Sequence, residues 1–209
     1  MEYNIRQESG YAYIRFLNAV YGSPGIKIYV NGEIFYDNLQ YPDFTEYIKV
    51  PSGSHLVEVY TVGSENQSYK NEIMLLDSMI YTGSFTGIDT EMTMLLVGDE
   101  PRDVKAPGAH LRFIDLTPEG IDFDIYLDEE RIITDLEFME VSNYISVNSG
   151  FHTLEVKIAG QSKSVISHPQ LLLKYAKYYA VYIVGTYTEE ENNLLVLIPL
   201  EGTTYINFE

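Results

Sequence analysis

An internal repeat constrains the fold more than any other feature of the sequence. Short motifs recur 97 positions apart, most clearly Arg15-Phe16 with Arg112-Phe113 and Ser52-Gly53-x-His55 with Ser149-Gly150-x-His152. The same spacing relates Ile28/Ile125, Tyr47/Tyr144, Glu58/Glu155, Leu75/Leu172, Leu76/Leu173 and Tyr81/Tyr178. A constant spacing over this length indicates duplication of a whole domain. The sequence therefore predicts two domains with the same fold and the same strand order.

The two copies are separated by a polar stretch, residues 98–108, that contains Pro101 and Pro107. Polar, proline-containing stretches are typical of short connectors between domains. We place the boundary near Lys105, which gives domains 1–105 and 106–209.

Alternation of apolar and polar residues dominates each copy, as in Ile26-Lys27-Ile28-Tyr29-Val30. A period of two predicts strands, and seven or eight short strands per copy are typical of a sandwich. Residues 169–179 are rich in Leu and Lys and have helical character, but they align with a strand and turn at 72–82, so strand is predicted there too. The predicted fold class is all-β, with two tandem immunoglobulin-like or transthyretin-like antiparallel β-sandwiches.

Two turns are specified by residue type. Asn31-Gly32 lies between two apolar runs and predicts a hairpin with a type I′ turn, because both residues tolerate positive φ. Gly53 and Gly150 each lie between a strand that ends in valine and a strand that begins near a histidine. We expect both glycines at positive φ in a tight hairpin connection.

Charge and composition exclude several classes of function. The chain has 31 acidic and 13 basic residues, a net charge of −18, which repels nucleic acid and anionic lipid. It has no cysteine, which excludes disulfides and thiolate metal sites. No apolar run is long enough for a membrane helix, so membrane insertion is not expected. The first ten residues lack an apolar signal segment, which predicts a cytoplasmic location or a spore or surface association without classical export.

Two motifs follow one another in the same order in both copies. The first copy has Ser23-Pro24-Gly25-Ile26-Lys27-Ile28-Tyr29-Val30-Asn31-Gly32 and then Val50-Pro51-Ser52-Gly53-x-His55. The second copy has Thr117-Pro118 and Asp124-Ile125-Tyr126-Leu127-Asp128, and then Ser149-Gly150-x-His152. This order of motifs resembles the bacterial domain family of unknown function DUF4397. The resemblance implies an extracellular or envelope setting and supplies no catalytic residues. The family's conserved histidine is replaced here by Asn18 and Asp115.

His55 and His152 occupy the same place in both copies, just after a turn glycine. A metal-binding or basic role needs partner residues that the surrounding sequence lacks, so we predict a structural role in which each ring bonds to backbone at the turn. The densest acidic cluster is the set Asp122, Asp124, Asp128, Glu129 and Glu130. It lacks the spacing of a calcium loop, which favours a solvated strand face over a metal site.

Exposed tyrosines are the remaining candidates for ligand contact, because aromatic rings stack on sugars and peptides. Those of the second copy that we single out are Tyr178, Tyr179, Tyr182 and Tyr187. Recurrence of tyrosines in both copies favours sheet packing, and ligand contact is the alternative. No motif for nucleophilic catalysis, phosphate binding or zinc is present, so we expect no enzyme and no cofactor.

These observations predict a non-enzymatic binding or structural module of a bacterial envelope, surface or spore-type assembly, with an unidentified protein or polysaccharide partner. The alternative is a carbohydrate- or peptide-binding protein that uses a tyrosine-lined face or the cleft between the domains.

Overall fold

The computed structural model describes residues 10–88, 91–100, 106–118 and 120–208. The boundary expected near Lys105 lies outside the described residues. The first copy consists of eight strands: β1 (Tyr11–Asn18), β2 (Ile26–Val30), β3 (Glu33–Leu39), β4 (Ile48–Pro51), β5 (Gly53–Thr61), β6 (Gln67–Leu75), β7 (Ile80–Ile88) and β8 (Glu91–Asp99). The second copy continues with β9 (Ala109–Asp115), β10 (Phe123–Leu127), β11 (Glu130–Leu136), β12 (Ile145–Val147), β13 (Gly150–Ile158), β14 (Ser164–Leu173), β15 (Lys177–Val184) and β16 (Leu195–Leu197), followed by a short 3-10 helix (Gly202–Thr204).

Each copy is a sandwich of two four-stranded sheets. The first copy has the strand orders β4-β1-β7-β8 and β3-β2-β5-β6, and the second has β12-β9-β15-β16 and β11-β10-β13-β14. The two orders are the same when each strand is matched to the one eight places later, which confirms the predicted duplication. All strand pairs are antiparallel except β1 with β7 and β9 with β15, which are parallel.

Period-two alternation divides each strand between the core and the outside. In β2, Ile26 and Ile28 are fully buried in the first core, whereas Lys27 and Tyr29 point outward. Phe16 and Phe85 stack in that core with ring centroids 5.4 Å apart. Phe113 and Phe123 are fully buried in the second core. The apolar cores of the two sandwiches therefore arise from the same alternation in both copies.

The Asn31-Gly32 turn has the predicted geometry, with φ of 53° and 81°. Gly53 and Gly150 also have the expected positive φ, at 128° and 145°. The hairpin expected at these glycines is wrong, because β4 pairs with β1 while β5 pairs with β2 and β6. The glycine turn instead carries the chain from one sheet of the sandwich to the other.

Replacing Gly53 or Gly150 with valine is expected to lower the free energy of unfolding by roughly 1–3 kcal/mol. The cost is backbone strain alone, because a Cβ at either position meets no atom within 4 Å. Denaturant midpoints measure it. Charge reversal at the exposed Glu129 or Glu130 is the control, with an expected change within about 0.5 kcal/mol. A neutral Gly53→Val variant would contradict the positive-φ requirement.

The repeat spacing changes from 97 to 98 within β14. His55 pairs with Ile73 whereas His152 pairs with Leu171, and the register of β13 with β14 shifts just beyond His152. Gln170 lies in this bulge with φ of 61°. The match of Tyr81 to Tyr178 is therefore wrong, because one extra residue has been inserted between the compared positions.

The true counterpart of Tyr81 is Tyr179. The Tyr81 hydroxyl accepts a hydrogen bond from the backbone N–H of Leu76, and the Tyr179 hydroxyl accepts one from Lys174, each at 3.0 Å. By the same spacing, Tyr178 matches Ile80.

The sandwiches pack against each other through the sheets that contain β1 and β9. Residues that alternate with the core positions of β1, β9 and β15 meet in a third apolar cluster: Leu17, Ala19, Ile114, Leu116, Ala180, Tyr182 and Val184. All seven are buried. The middle strands of these sheets are consequently buried on both faces, and the interface face combines this apolar cluster with buried polar side chains such as Arg15, Thr82 and Arg112. The two halves therefore share one sealed interface.

The end of the chain returns to the first sandwich. The backbone N–H of Gly202 donates to the Tyr47 hydroxyl at 3.3 Å, and the ring of Phe208 stacks on Tyr11 at 5.4 Å. The segment after β16 therefore adds to the contact between the halves. None of the described residues forms a helix with the length and apolar character needed to cross a bilayer.

Candidate functional site

The structure does not bring the four selected tyrosines together on one surface. Tyr178, Tyr179 and Tyr182 are 6%, 7% and 0% exposed, because β15 is covered on one face by the second core and on the other by the first sandwich. Burial raises the pKa of the Tyr182 hydroxyl to about 12. Tyr187 lies apart, where it pairs with Asn192 across a short hairpin. As a correction, three of these rings are not accessible for stacking on a ligand.

The expected cleft between the domains is also filled. At its centre, the guanidinium of Arg112 forms two hydrogen bonds with Asp99, with Nη1–Oδ1 at 3.2 Å and Nη2–Oδ2 at 2.6 Å. Arg112 Nη2 also lies 3.0 Å from Oε1 of Glu201. All three side chains are at most 5% exposed. These charges lie inside the interface and out of reach of a ligand.

The buried charges follow an approximate two-fold arrangement. Arg15 and Arg112 are repeat equivalents, and Arg15 Nη2 lies 4.0 Å from Glu201 Oε2. Asp99 pairs with Ile80, while the N–H of Glu201 bonds to the carbonyl of Tyr178, the counterpart of Ile80. Glu201 therefore corresponds to Asp99, and each arginine approaches the carboxylate of the other half.

Burial and charge act in opposite directions on the pKa values of this cluster. Burial alone lowers the pKa of Arg112, but the charges of Glu201 and Asp99 outweigh it, so the net shift is upward. Burial raises the pKa of Glu201, against the opposing effect of Arg112 and Arg15. The net shift of the Glu201 pKa is upward, so the two arginines only partly offset the effect of burial on this carboxylate.

The predicted backbone bonds of the repeated histidines are confirmed. Nε2 of His55 lies 2.8 Å from the carbonyl oxygen of Pro51, and Nε2 of His152 lies 2.8 Å from that of Asn148. A carbonyl only accepts, so each ring carries its proton on Nε2. In each copy the histidine therefore stabilises the turn that links the two sheets of its sandwich.

The second ring nitrogen distinguishes the copies. Nδ1 of His55 lies 3.0 Å from the amide Nδ2 of Asn31, a donor, whereas Nδ1 of His152 lies 2.6 Å from Oδ2 of Asp128, an acceptor. The His55 ring therefore lies between a donor and an acceptor, whereas the His152 ring lies between two acceptors. The hydrogen bond from the N–H of Thr153 and then the one from His152 lower the pKa of Asp128.

Asp128→Asn is expected to flatten the acid limb of the stability curve. Because the pKa of Asp128 is lowered by folding, its contribution is present above the unfolded value and is lost as the pH falls through the folded one. Denaturant titrations between pH 2 and pH 6 measure this slope, and Asn31→Asp in the first copy is the reciprocal variant, expected to steepen it. Equal slopes in all three proteins would contradict the role of the pair.

The acidic cluster of the second copy is only partly solvated. Asp128, Glu129 and Glu130 are exposed, but Asp124 is 2% exposed. An irregular register between β10 and β11 lets the Asp124 carboxylate accept hydrogen bonds from Arg131 and from the backbone N–H of Asp135. The solvated-face prediction is therefore wrong for Asp124. Within the part of the chain that the structure describes, no group of three or more His, Cys, Asp or Glu side chains is arranged to hold a metal ion.

A pair of half-buried tyrosines is found instead on the outer surface of the first sandwich, on the sheet that faces away from the second. Lys27 and Tyr29 of β2 lie directly opposite Tyr60 and Glu58 of β5. All four alternate with core residues and are half-buried. We refer to Lys27, Tyr29, Glu58 and Tyr60 as the outer tyrosine face. It was not singled out from the sequence.

The two rings of the outer tyrosine face form an aromatic pair within a concave surface. The ring centroids of Tyr29 and Tyr60 are 5.6 Å apart with planes at 77°, an edge-to-face contact. Together with Asp37, Asn38 and the β5–β6 turn at 62–65, they line a cavity of ≈ 680 Å³. This volume is within the range of about 300–1,000 Å³ that is usual for small-molecule sites.

Charged groups beside the rings are paired with one another. Lys27 Nζ lies 2.8 Å from Oδ1 of Asp37, and Lys70 Nζ lies 2.9 Å from Oε1 of Glu58. The hydrogen bond that Lys27 donates to Asp37 raises the pKa of Lys27, and the one that Glu58 accepts from Lys70 lowers the pKa of Glu58. Both pairs bridge neighbouring strands, which leaves the two rings between them as the uncharged centre of the face.

The second copy has a different surface at the matching positions. Tyr126 and Glu155 still face each other across β10 and β13, but Lys157 replaces Tyr60. Lys157 Nζ lies over the Tyr126 ring, 4.0 Å from its centroid. The two copies therefore share a fold and differ at one aromatic position of the outer sheet.

Comparison with known proteins gives one informative match. The family model described as "Domain of unknown function (DUF4397)" matches residues 12–121 and 109–204. No curated protein sequence matches the chain.

Solved structures that match include a family 26 carbohydrate-binding module from Eubacterium rectale in complex with maltoheptaose, at 10% identity and a TM-score of 0.29 over 90% of this chain and 96% of that chain. Another belongs to a study of α-glucan recognition by family 41 carbohydrate-binding modules from streptococcal virulence factors, at 11% identity and a TM-score of 0.27 over 83% of this chain and 93% of that chain. At these TM-scores the likeness carries no argument about function.

Proposed function

The chain belongs to the DUF4397 family, and from the geometry of its first copy we propose that it is a non-enzymatic glycan-binding module whose ligand lies on the outer tyrosine face. One observation carries the proposal: two tyrosine rings, Tyr29 and Tyr60, are paired on an accessible concave sheet surface and surrounded by hydrogen-bonding side chains. The duplicated surface of the second copy lacks this pair.

A sugar ring suits this surface because it has an apolar C–H face and a rim of hydroxyl groups. The tyrosine rings offer flat apolar area at low conformational cost. The Tyr60 hydroxyl accepts a hydrogen bond from Nε2 of Gln67 at 3.0 Å and keeps its own O–H to donate. Asn38 and the paired charges of Lys27 and Asp37 lie beside the rings. They supply donors and acceptors for hydroxyl groups without presenting an unpaired charge, which favours an uncharged ligand.

An extended peptide fits the same surface less well. Peptide strands usually bind by adding to the free edge of a sheet, where backbone groups are unpaired. β2 and β5 are the two central strands in the order β3-β2-β5-β6, so each is hydrogen-bonded on both sides. A ligand above them meets side chains only, which matches the recognition of a glycan.

The carboxylates of the face favour binding over hydrolysis. Glycoside hydrolysis generally uses a carboxylic acid whose pKa is raised, so that it carries a proton to the leaving group. The hydrogen bond from Lys70 shifts the pKa of Glu58 the other way, downward. Glu58 is therefore held as an ionised acceptor for hydroxyl groups.

The cellular setting that we propose is the bacterial envelope or surface, where polysaccharide is the abundant partner. Fractionation of cells that make the native protein tests it, and recovery in the cytosol alone would contradict it. A structural role as a spacer is the second candidate, and the sealed interface between the halves supports it. Such a spacer would not require Tyr29 or Tyr60.

Tyr60→Ala is expected to weaken glycan binding about tenfold or more, because tenfold corresponds to ~1.4 kcal/mol and truncation of an aromatic anchor at the centre of a site costs about 2 kcal/mol or more. We expect Tyr29→Ala to act in the same direction. Isothermal titration calorimetry with maltoheptaose, cellohexaose, xylohexaose and N-acetylchitohexaose measures the affinities. Tyr175→Ala, at a ring that is 61% exposed elsewhere, is the control and should change nothing. Equal loss in the control would contradict a localised site.

A further inference from the structure

The matching outer sheet of the second sandwich retains half of the outer tyrosine face. Tyr126 occupies the position of Tyr29, and Glu155 occupies that of Glu58. The second ring is missing, because Lys157 stands where the first copy has Tyr60. The two surfaces thus differ at the residue on which the first aromatic pair depends.

Lys157 also covers the ring that the second copy retains, Tyr126. Its ammonium group lies 4.0 Å from the centroid of Tyr126, above the ring face that a sugar would occupy. A cation above an aromatic ring is held there by the negative charge of the ring face. A ligand has to displace this group before it can stack on Tyr126.

The neighbouring carboxylate explains why the lysine takes this place. In the first copy Glu58 accepts from Lys70 on the adjacent strand, so that lysine is held away from the rings. In the second copy Glu155 accepts a 2.6 Å hydrogen bond from Ser164. Ser167, the residue opposite Glu155 on β14, carries no charge. With Glu155 engaged by Ser164, Lys157 lies over the Tyr126 ring.

We propose that Lys157 is a specificity-determining residue that closes the second outer face to ligand, so that the chain has one glycan site although it has two copies of the domain. This inference rests on the proposed function of the outer tyrosine face. The site of the second copy is covered by its own side chain, and a change at this one position restores the ring arrangement of the first copy.

The first test counts binding sites. Lys157→Tyr should raise the stoichiometry from one to two in calorimetric titrations with a glycan from the same panel that binds the wild-type chain. Tyr60→Lys should abolish the first site, and the double variant Tyr60→Lys with Lys157→Tyr should bind one ligand again, on the second copy. Lys174→Tyr, a change at an exposed lysine beyond the opposite end of β14, is the matched control and should leave the stoichiometry at one.

The second test needs no ligand. The ring current of Tyr126 should shift the ε-methylene protons of Lys157 upfield in proton NMR spectra, and Tyr126→Leu should remove the shift. Unshifted protons would overturn the covering contact. A stoichiometry that stays at one in Lys157→Tyr, with wild-type binding intact, would overturn the inference and leave the first site standing. Absence of wild-type binding to every panel glycan would instead count against the proposed function and with it this inference.

Discussion

Replacing Arg112 with alanine is expected to lower the free energy of unfolding by about 3–5 kcal/mol, the cost of breaking a buried ion pair by removing one partner. Asp99 would lose both of its guanidinium hydrogen bonds, and Glu201 would lose the nearer of its two cations. Both carboxylates are at most 5% exposed, so water cannot compensate. Denaturant unfolding monitored by tyrosine fluorescence measures the change.

Two further variants test whether the stability depends on the charge of Arg112 or on its hydrogen-bond geometry, and how this buried ion pair compares with one on the surface. Arg112→Lys keeps the charge and loses the two-pronged contact with Asp99, so we expect an intermediate loss. Lys70→Ala breaks an ion pair whose lysine is 52% exposed, and its expected cost is at most about 1 kcal/mol. A loss in Arg112→Ala no larger than in Lys70→Ala would contradict the sealed interface.

Leu17→Ala and Ile114→Ala are each expected to cost about 2–5 kcal/mol, which is the usual range for shortening a buried aliphatic side chain. The two residues are repeat equivalents, both are 0% exposed, and both belong to the apolar cluster between the sandwiches. Because they lie outside the two sandwich cores, their loss should weaken the contact between the halves. We therefore expect similar costs at the two positions.

The matched control for these substitutions is Ile34→Ala, at an isoleucine that is 57% exposed on β3. Its expected change is within about 0.5 kcal/mol. Differential scanning calorimetry of the full chain measures all three variants. If Leu17→Ala and Ile114→Ala were as mild as Ile34→Ala, the halves would not be packed as described.

The repeat and the alternation were sufficient to predict the sandwiches. Each strand of the first copy has a counterpart in the second, and the spacing of 97 holds from β1 to β5. Asn31-Gly32 specifies its own turn through the positive φ that it tolerates. Alternation and turn residues could be predicted because they depend on residues close to one another in sequence. The repeat could be predicted because the chain contains the same pattern twice.

The contact between the halves was not predicted, although the sequence contains a sign of it. Residues 178–184 are apolar or aromatic without interruption, and such a run is typical of a strand buried on both faces. The interpretation of these tyrosines as ligand contacts missed that alternate residues of this strand, among them Tyr182, would face the other domain. The partner surface is distant in sequence, so alternation alone does not reveal it.

The bulge and the buried aspartate were missed for a related reason. One inserted residue at Gln170 changes the register while leaving the composition of the strand almost the same. The buried carboxylate of Asp124 accepts a hydrogen bond from Arg131, seven residues away on the neighbouring strand, where the register of the two strands is irregular. The outer tyrosine face depends likewise on which residues of β2 and β5 are directly opposite, and register is a property of the folded sheet.

The most direct test of the account is to map the glycan site on the intact chain by two-dimensional NMR with a uniformly ¹⁵N-labelled sample. Each oligosaccharide of the panel is titrated while the backbone amide signals are followed. We predict that a glycan that binds shifts the amides of Lys27, Tyr29, Glu58 and Tyr60 and of the turn at 62–65, with little change around Tyr126. Shifts confined to any other surface, or none with every glycan of the panel, would contradict the proposal that this face binds glycan.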